Sequence, residues 1–126
     1  MSWCYPDEHS DYAYAVLNEL ERAPALVPSL WALEIANAVT VGERRLRLSR
    51  ADADRFLELL NGLPIRVDIR TAERALTHNL PLARAHNLSA YDASYLELSM
   101  REGLLLATLD QKLEKVARAV GLRIFR

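Results

Sequence analysis

The stretch from Leu88 to Asp110, L-S-A-Y-D-A-S-Y-L-E-L-S-M-R-E-G-L-L-L-A-T-L-D, constrains this chain more than any other. Its first half reads as a helix with a carboxylate, Asp92, in the opening turn. Its second half, Leu104 to Ala107, reads as a short apolar strand bounded by Gly103 in front and by Thr108-Leu109-Asp110 behind. An unbroken apolar run implies burial on both faces, as in a parallel sheet covered by helices. Open α/β sheets place their ligand crevice at the carboxyl end of such strands. Asp110 is therefore expected at the mouth of a site, with Asp92 brought beside it from the preceding helix.

Half of the 126 residues are apolar, enough for one domain with a real core. The net charge is −1, so the chain as a whole is no polycation, and any binding to an anionic polymer must be local. No apolar run approaches the roughly 20 residues that span a bilayer, and the opening is not that of a secretory leader. The lone Cys4 offers no disulfide framework. These features predict a soluble cytoplasmic protein with no membrane association.

From Ser10, a candidate N-cap, the residues Ala13, Val16, Leu17 and Leu20 recur at the spacing of one helical face, and Pro24 closes the helix. Ala25 to Pro28 allows only a brief strand. Ser29 is expected to cap a second helix to about Val41, with Gly42 as its stop. Its circumference is nearly all apolar, which predicts burial and makes Glu34 an interruption. A buried unpaired carboxylate is costly, and the usual remedies are a partner cation, protonation or a metal. Asn37 follows one turn later.

Arg44, Arg45, Arg47 and Arg50 form a basic connector. Ser49 or Asp52 starts a third helix with Ala53, Phe56, Leu57, Leu59 and Leu60 inward, ended by Asn61-Gly62. Leu63 to Ile69 reads as an edge strand, with Ile65, Val67 and Ile69 inward against Arg66, Asp68 and Arg70. Thr71 begins a helix that Pro81 is expected to break into two pieces. Ser89 caps the key helix, with Asp92 placed to close a capping box. Asp110 precedes a last helix with Leu113, Val116, Ala117 and Val120 inward, and Leu122 to Phe125 is a final short strand. Strands separated by helices imply parallel pairing through right-handed crossovers. The expected fold is α/β, a three-layer α/β/α sandwich with a mostly parallel sheet of about four strands, in a single domain spanning residues 1–126.

Glu34, Asp92 and Asp110 are hard oxygen ligands suited to Mg²⁺ or Mn²⁺, and the chain has no G-x-S-x-G elbow or reactive-cysteine setting. Three such carboxylates favour phosphodiester hydrolysis by metal-activated water. Each also has a plainer reading: Asp92 as a capping acid, Asp110 as the N-cap of the last helix, Glu34 as half of a buried ion pair. Thr108 reads as a strand residue whose hydroxyl can orient Asp110 or a metal-bound water. His9, His78 and His86 lack ligand spacing, Tyr91 and Tyr95 read as packing residues, and the arginine cluster reads as a solvated connector or an RNA contact. Lys112, Lys115 and Arg118 are further cations able to guide RNA, without specifying sequence.

The segments W-A-L-E-I-A-N-A-V (31–39), L-S-A-Y-D-A-S-Y-L-E-L-S (88–99) and G-L-L-L-A-T-L-D-Q-K-L (103–113) resemble, in order and distance, the PIN-domain ribonucleases of the VapC toxin type. The resemblance covers essentially the whole chain. It implies an acidic cluster binding Mg²⁺ or Mn²⁺ and cleaving RNA, a homodimer, and a VapB-type antitoxin that blocks the site. Carried over by motif, Glu34 matches the helix glutamate, Asp92 the aspartate of the Y-D-A turn and Asp110 the aspartate after T-L. Asn37 and Thr108 match polar residues that support them.

Members of that family begin with a strand ending in D-x-S, whose aspartate completes the metal site, and no such strand is present here. Asp7, Glu8 and Asp11 lie in the wrong context to replace it. Two expectations follow: a protein start upstream of Met1, or a shortened relative with a weakened or absent metal site and either four parallel strands or a gap filled by another chain. The rival functional reading is a non-catalytic PIN-like module that binds a protein or RNA. A third makes the acids caps and ion pairs only.

Overall fold

The structure, a computed structural model, describes residues 11–125. Met1 to Ser10, including the candidate cap Ser10 and the acids Asp7 and Glu8, lie outside the described residues, as do the side chains of Asp11 and Ala13. The elements run α1 (Asp11–Glu19), β1 (Ala25–Pro28), α2 (Trp31–Arg44), α3 (Arg50–Asn61) and β2 (Ile65–Asp68). Then come α4 (Thr71–Arg74), a π-helical turn (Ala75–Asn79), α5 (Leu80–His86), α6 (Ala90–Glu102) and α7 (Gln111–Ala119). β1 and β2 pair as a small parallel sheet, so the α/β class holds.

The chain forms two compact units. The first holds the chain up to Ala25 and Trp31–Arg66; the second holds Leu26–Leu30 and Val67–Arg126.

In the first unit, α2 and α3 close on a core of Ile35, Val39, Leu48, Ala53, Phe56 and Leu60, with Trp31, Leu63 and Ile65 packed against it. α3 starts where its sequence predicts, the Ser49 hydroxyl accepting the Asp52 N–H at 3.0 Å. Leu57 and Leu59, expected inward, are about half exposed, because the buried stripe follows the three- and four-residue spacing of Ala53, Phe56 and Leu60. α2 departs further. It buries only Ile35, Val39 and Gly42, and runs through Gly42 to Arg44 instead of stopping there. Its stop is Leu46, in the left-handed region at φ 57°. The Arg47 N–H reaches back to the Gly42 carbonyl at 2.9 Å and the Leu46 N–H to that of Glu43 at 3.1 Å, the paired bonds of a Schellman end.

In the second unit, α6 is buried around most of its circumference, through Ala93, Ser94, Leu96, Glu97, Leu98 and Ser99. Leu96 packs with Leu106, Leu113 and Ala117, and Leu82, Leu88, Tyr95, Val116, Val120, Leu122 and Ile124 complete that core. Gly103, at φ 65°, ends α6 and turns the chain back.

The two pieces expected around Pro81 are present as α4 and α5, with the proline in the first turn of the second. The break takes the form of a π-helical turn directly before the proline, the Leu80 N–H bonding the Ala75 carbonyl, so that helical winding is kept between the two pieces. Pro81 sits in the first turn of α5, where its missing N–H is tolerated. Asn79, in the π turn, is 3% exposed, and its Oδ1 accepts no hydrogen bond among the described residues.

Two strand expectations are reduced. Leu104 to Ala107 pairs only through Leu106, in a single parallel bridge to Ile124, and Leu104 and Leu105 are about half exposed. Leu122 to Phe125 contributes only its side of that bridge. Among the described residues, the sheet therefore has two strands instead of about four. A continuous apolar run becomes a two-sided strand only when backbone partners flank it, and Leu105 and Ala107 have none among the described residues. β2 keeps Ile65 against its core as expected but departs from its pattern beyond it: Val67 and Ile69 are exposed and Asp68 is 8% exposed. The alternation predicts its apolar residues inward, whereas the ion pair of Asp68 with Arg101 brings the carboxylate in instead.

Candidate functional site

Asp92 and Asp110 belong to the second unit, and each occupies the start of a helix. Asp92 lies in the first turn of α6, where its N–H donates to the Ser89 hydroxyl at 3.0 Å. The reciprocal bond of a capping box is not formed. No described residue donates to the half-buried Asp92 carboxylate, so its oxygens remain open. Asp110 is itself the N-cap of α7, its exposed carboxylate accepting the Leu113 N–H through Oδ1 at 2.8 Å. The Thr108 hydroxyl accepts the Asp110 N–H at 3.0 Å and so holds the backbone of the cap. Lys112 donates from Nζ to the Asn87 carbonyl at 2.5 Å, joining the start of α7 to the turn that leads into α6.

Glu34 belongs to the first unit, in the first turn of α2, and is exposed. The burial expected for it is therefore corrected: α2 turns Leu33, Glu34, Ala36 and Asn37 outward because its core-facing side is the one that carries Trp31, Ile35 and Val39. A carboxylate in an opening helical turn is favoured by the helix dipole and needs no buried cation. Asn37 is exposed, its carbonyl accepting the Thr40 hydroxyl at 3.0 Å.

The donor set fits Mg²⁺ or Mn²⁺ in kind. It consists of carboxylate oxygens, with Asp92 open and Asp110 using one oxygen for its cap. Among the described residues, no group of three or more His, Cys, Asp or Glu side chains is gathered in a way that could hold a metal ion.

The buried charges of the second unit lie elsewhere, and the sequence reading missed them. Arg101 of α6 reaches Asp68 Oδ2 from Nη2 at 2.6 Å and Glu97 Oε1 from Nε at 3.0 Å. Arg74 of α4 also pairs with Glu97. Asp68 further accepts the Arg70 N–H at 3.2 Å, and the Thr71 hydroxyl accepts the Ser29 N–H at 2.9 Å. The end of β2 is thereby tied to the last turn of α6. Burial works to raise the pKa of Asp68. The hydrogen bonds from Arg101 and the Arg70 N–H outweigh it and hold the group below the usual carboxylate range. Burial opposes ionisation of Glu97 in the same way, and Arg101 with Arg74 overcomes it. Hydrogen bonds to Glu97 and Asp68 push the Arg101 pKa further up, so the network is ionised at neutral pH. The legible signal was the four-residue spacing of Glu97 and Arg101 on a helix whose other faces are apolar or small.

Tyr95 packs into the second core, as expected, while Tyr91 is exposed. His78 is exposed, with its ring Nδ1 2.8 Å from the Thr77 hydroxyl. Among the described residues, no helix is long and apolar enough to cross a membrane.

The PIN domain family model matches residues 1–119. Ribonuclease VapC3 of Pyrobaculum aerophilum is 30% identical over 108 residues, covering 86% of this chain and 81% of that protein. The match spans both compact units and includes all three motif segments, and the chain accordingly belongs to the PIN-domain family, of the VapC type.

Proposed function

We propose that this chain, as one PIN domain over residues 1–126, is a metal-dependent endoribonuclease of the toxin type, with Glu34, Asp92 and Asp110 as its metal-ligating acids. The observation that carries this reading is the PIN-domain match over residues 1–119, joined to a relative that is named a ribonuclease. The site adds a local reason. The Asp92 carboxylate accepts no hydrogen bond from a described residue, so it can take a ligand without breaking a contact that holds the fold.

Mg²⁺ or Mn²⁺, when bound, supplies the Lewis acidity that makes water nucleophilic toward a phosphodiester. The chain's own part is positioning. Ser89 fixes the turn from which Asp92 projects, and Thr108 fixes the backbone of Asp110. The Lys112 amine, held on the Asn87 carbonyl, braces the start of α7. Asn37, one turn after Glu34, supports it as a neutral polar neighbour on α2. The partners of this reading are an RNA substrate, a VapB-type antitoxin and a second copy in a homodimer, in the cytoplasm.

The test is RNA cleavage by the chain in Mn²⁺, in EDTA, and as Asp92→Asn. Cleavage in Mn²⁺ that disappears in the other two arms is the expected result. A second reading, a non-catalytic module that binds RNA or protein, is favoured by the absence of a gathered group of three acids among the described residues. Retained RNA binding with no cleavage in Mn²⁺ selects it.

A further inference from the structure

Six of the described arginines meet a carboxylate close by. Arg50 faces Asp54 at 3.6 Å, Arg70 faces Glu73 at 3.2 Å, and Arg118 faces Glu114 at 3.0 Å. Arg55 pairs with Asp52, and Arg74 and Arg101 share the buried acids. Arg22, Arg66, Arg84 and Arg123 have no such partner among the described residues but stand singly, whereas the end of α2 places two in succession. Arg44 and Arg45 are exposed, and among the described residues no carboxylate lies within ion-pair distance of either. The reason is visible in the sequence. The positions three and four away from Arg44 are Thr40, Val41, Arg47 and Leu48, and those from Arg45 are Val41, Gly42, Leu48 and Ser49, none of them acidic.

The backbone then presents these side chains together. The paired bonds from Leu46 to Glu43 and from Arg47 to Gly42 close the helix into a tight turn, with Arg44, Arg45 and Arg47 exposed around its tip. A single cation there would suffice to complement the negative end of the helix dipole. Two adjacent guanidiniums without acid partners, next to a third arginine, exceed that need. In a chain of net charge −1, they form a local positive patch on an otherwise balanced molecule.

We infer that the Arg44–Arg47 turn is an RNA contact surface, on which the Arg44 and Arg45 guanidiniums bind backbone phosphates. A guanidinium offers a planar fork of donors that matches two phosphate oxygens at once, so adjacent unpaired arginines suit a chain of phosphates. Such contacts fix the position of the strand and carry no base specificity. The choice of RNA as the polyanion rests on the ribonuclease reading above, whereas the patch itself does not.

The experiment is equilibrium binding of a labelled single-stranded RNA to the full chain in EDTA over a range of salt. It compares the wild type, Arg44→Gln/Arg45→Gln, and Arg84→Gln as a control at another exposed arginine. Glutamine keeps helix propensity, and thermal unfolding of each variant checks that folding is unchanged. The double variant is expected to bind about tenfold more weakly, with the slope of log affinity against log salt reduced by about one to two, and Arg84→Gln to match the wild type. Equal affinity and slope in the double variant, or no RNA binding by the wild type, overturns the inference. Tighter binding of polyglutamate than of RNA by the wild type overturns it in favour of an acidic protein partner. Arginine-dependent RNA binding without cleavage in Mn²⁺ supports it while removing the nuclease reading, so the two can fail separately.

Discussion

The Asp68 carboxylate and the Arg101 guanidinium meet at 2.6 Å across 33 positions of sequence, the end of β2 held to the last turn of α6 by a buried charge pair. Arg101 also serves Glu97, so removing it leaves two carboxylates short of a partner in a poorly solvated place. Arg101→Met is expected to lower unfolding stability by about 3 kcal/mol in urea titration. Asp68→Asn, which keeps hydrogen-bonding groups but loses charge, is expected to cost less. A loss below about 1 kcal/mol for Arg101→Met would show that solvent screens the network despite its burial.

The same network sets the acid response. Asp68 and Glu97 have depressed pKa values in the folded state, so each contributes stability that is present above its unfolded pKa. That contribution is lost as pH falls through the folded value. Arg101, shifted upward, loses nothing as pH falls from neutral. Unfolding followed from about pH 7 to about pH 3 should show stability declining below about pH 4–5, with a shallower decline in Arg101→Met. Identical slopes in the two proteins would assign acid sensitivity to other carboxylates.

Leu46 ends α2 at φ 57° and is 93% exposed, so it bears left-handed strain without burying its side chain. Glycine meets that conformation without a Cβ penalty. Leu46→Gly is expected to raise stability by about 0.5–1 kcal/mol, read as a higher urea midpoint. A lower midpoint would mean that the leucine makes contacts that outweigh the strain.

Asp110 allows its structural and chemical roles to be separated. Asp110→Ala removes the cap on the Leu113 N–H and is expected to cost about 1 kcal/mol, whereas Asp110→Asn keeps a capping oxygen and most of the stability. Under the proposed function both variants lose cleavage in Mn²⁺, by at least about 100-fold, because an amide is a far poorer metal ligand than a carboxylate. Full activity in Asp110→Asn would reduce the residue to a cap.

Asp92→Asn separates them more cleanly. The cap at the start of α6 uses the Asp92 backbone N–H and the Ser89 hydroxyl, so the side chain is dispensable for it. Stability is expected to change by less than about 0.5 kcal/mol, and cleavage to be lost. A destabilisation well above that would support the reading of the acid as a structural residue.

Elements whose causes are local follow from neighbouring residues alone. Ser49, Ser89 and Asp110 start their helices because a side-chain oxygen can meet an N–H three residues on, and Gly103 ends α6 because it tolerates positive φ. The motif segments around Asp92 and Asp110 were sufficient to indicate the family. Tertiary structure alone decided which carboxylates are buried. The composition of α2 points to Glu34 as the buried acid, whereas the helix buried nearly all round is α6 and its paired acid is Glu97. Periodicity says which residues share a face, and only packing says whether that face is covered. The same holds for Val67 and Asp68, whose alternation was plain but whose inward side was set by Arg101, 33 positions beyond Asp68. It holds too for Leu104 to Ala107, an apolar run that a sheet would bury only through backbone partners supplied from elsewhere in the fold.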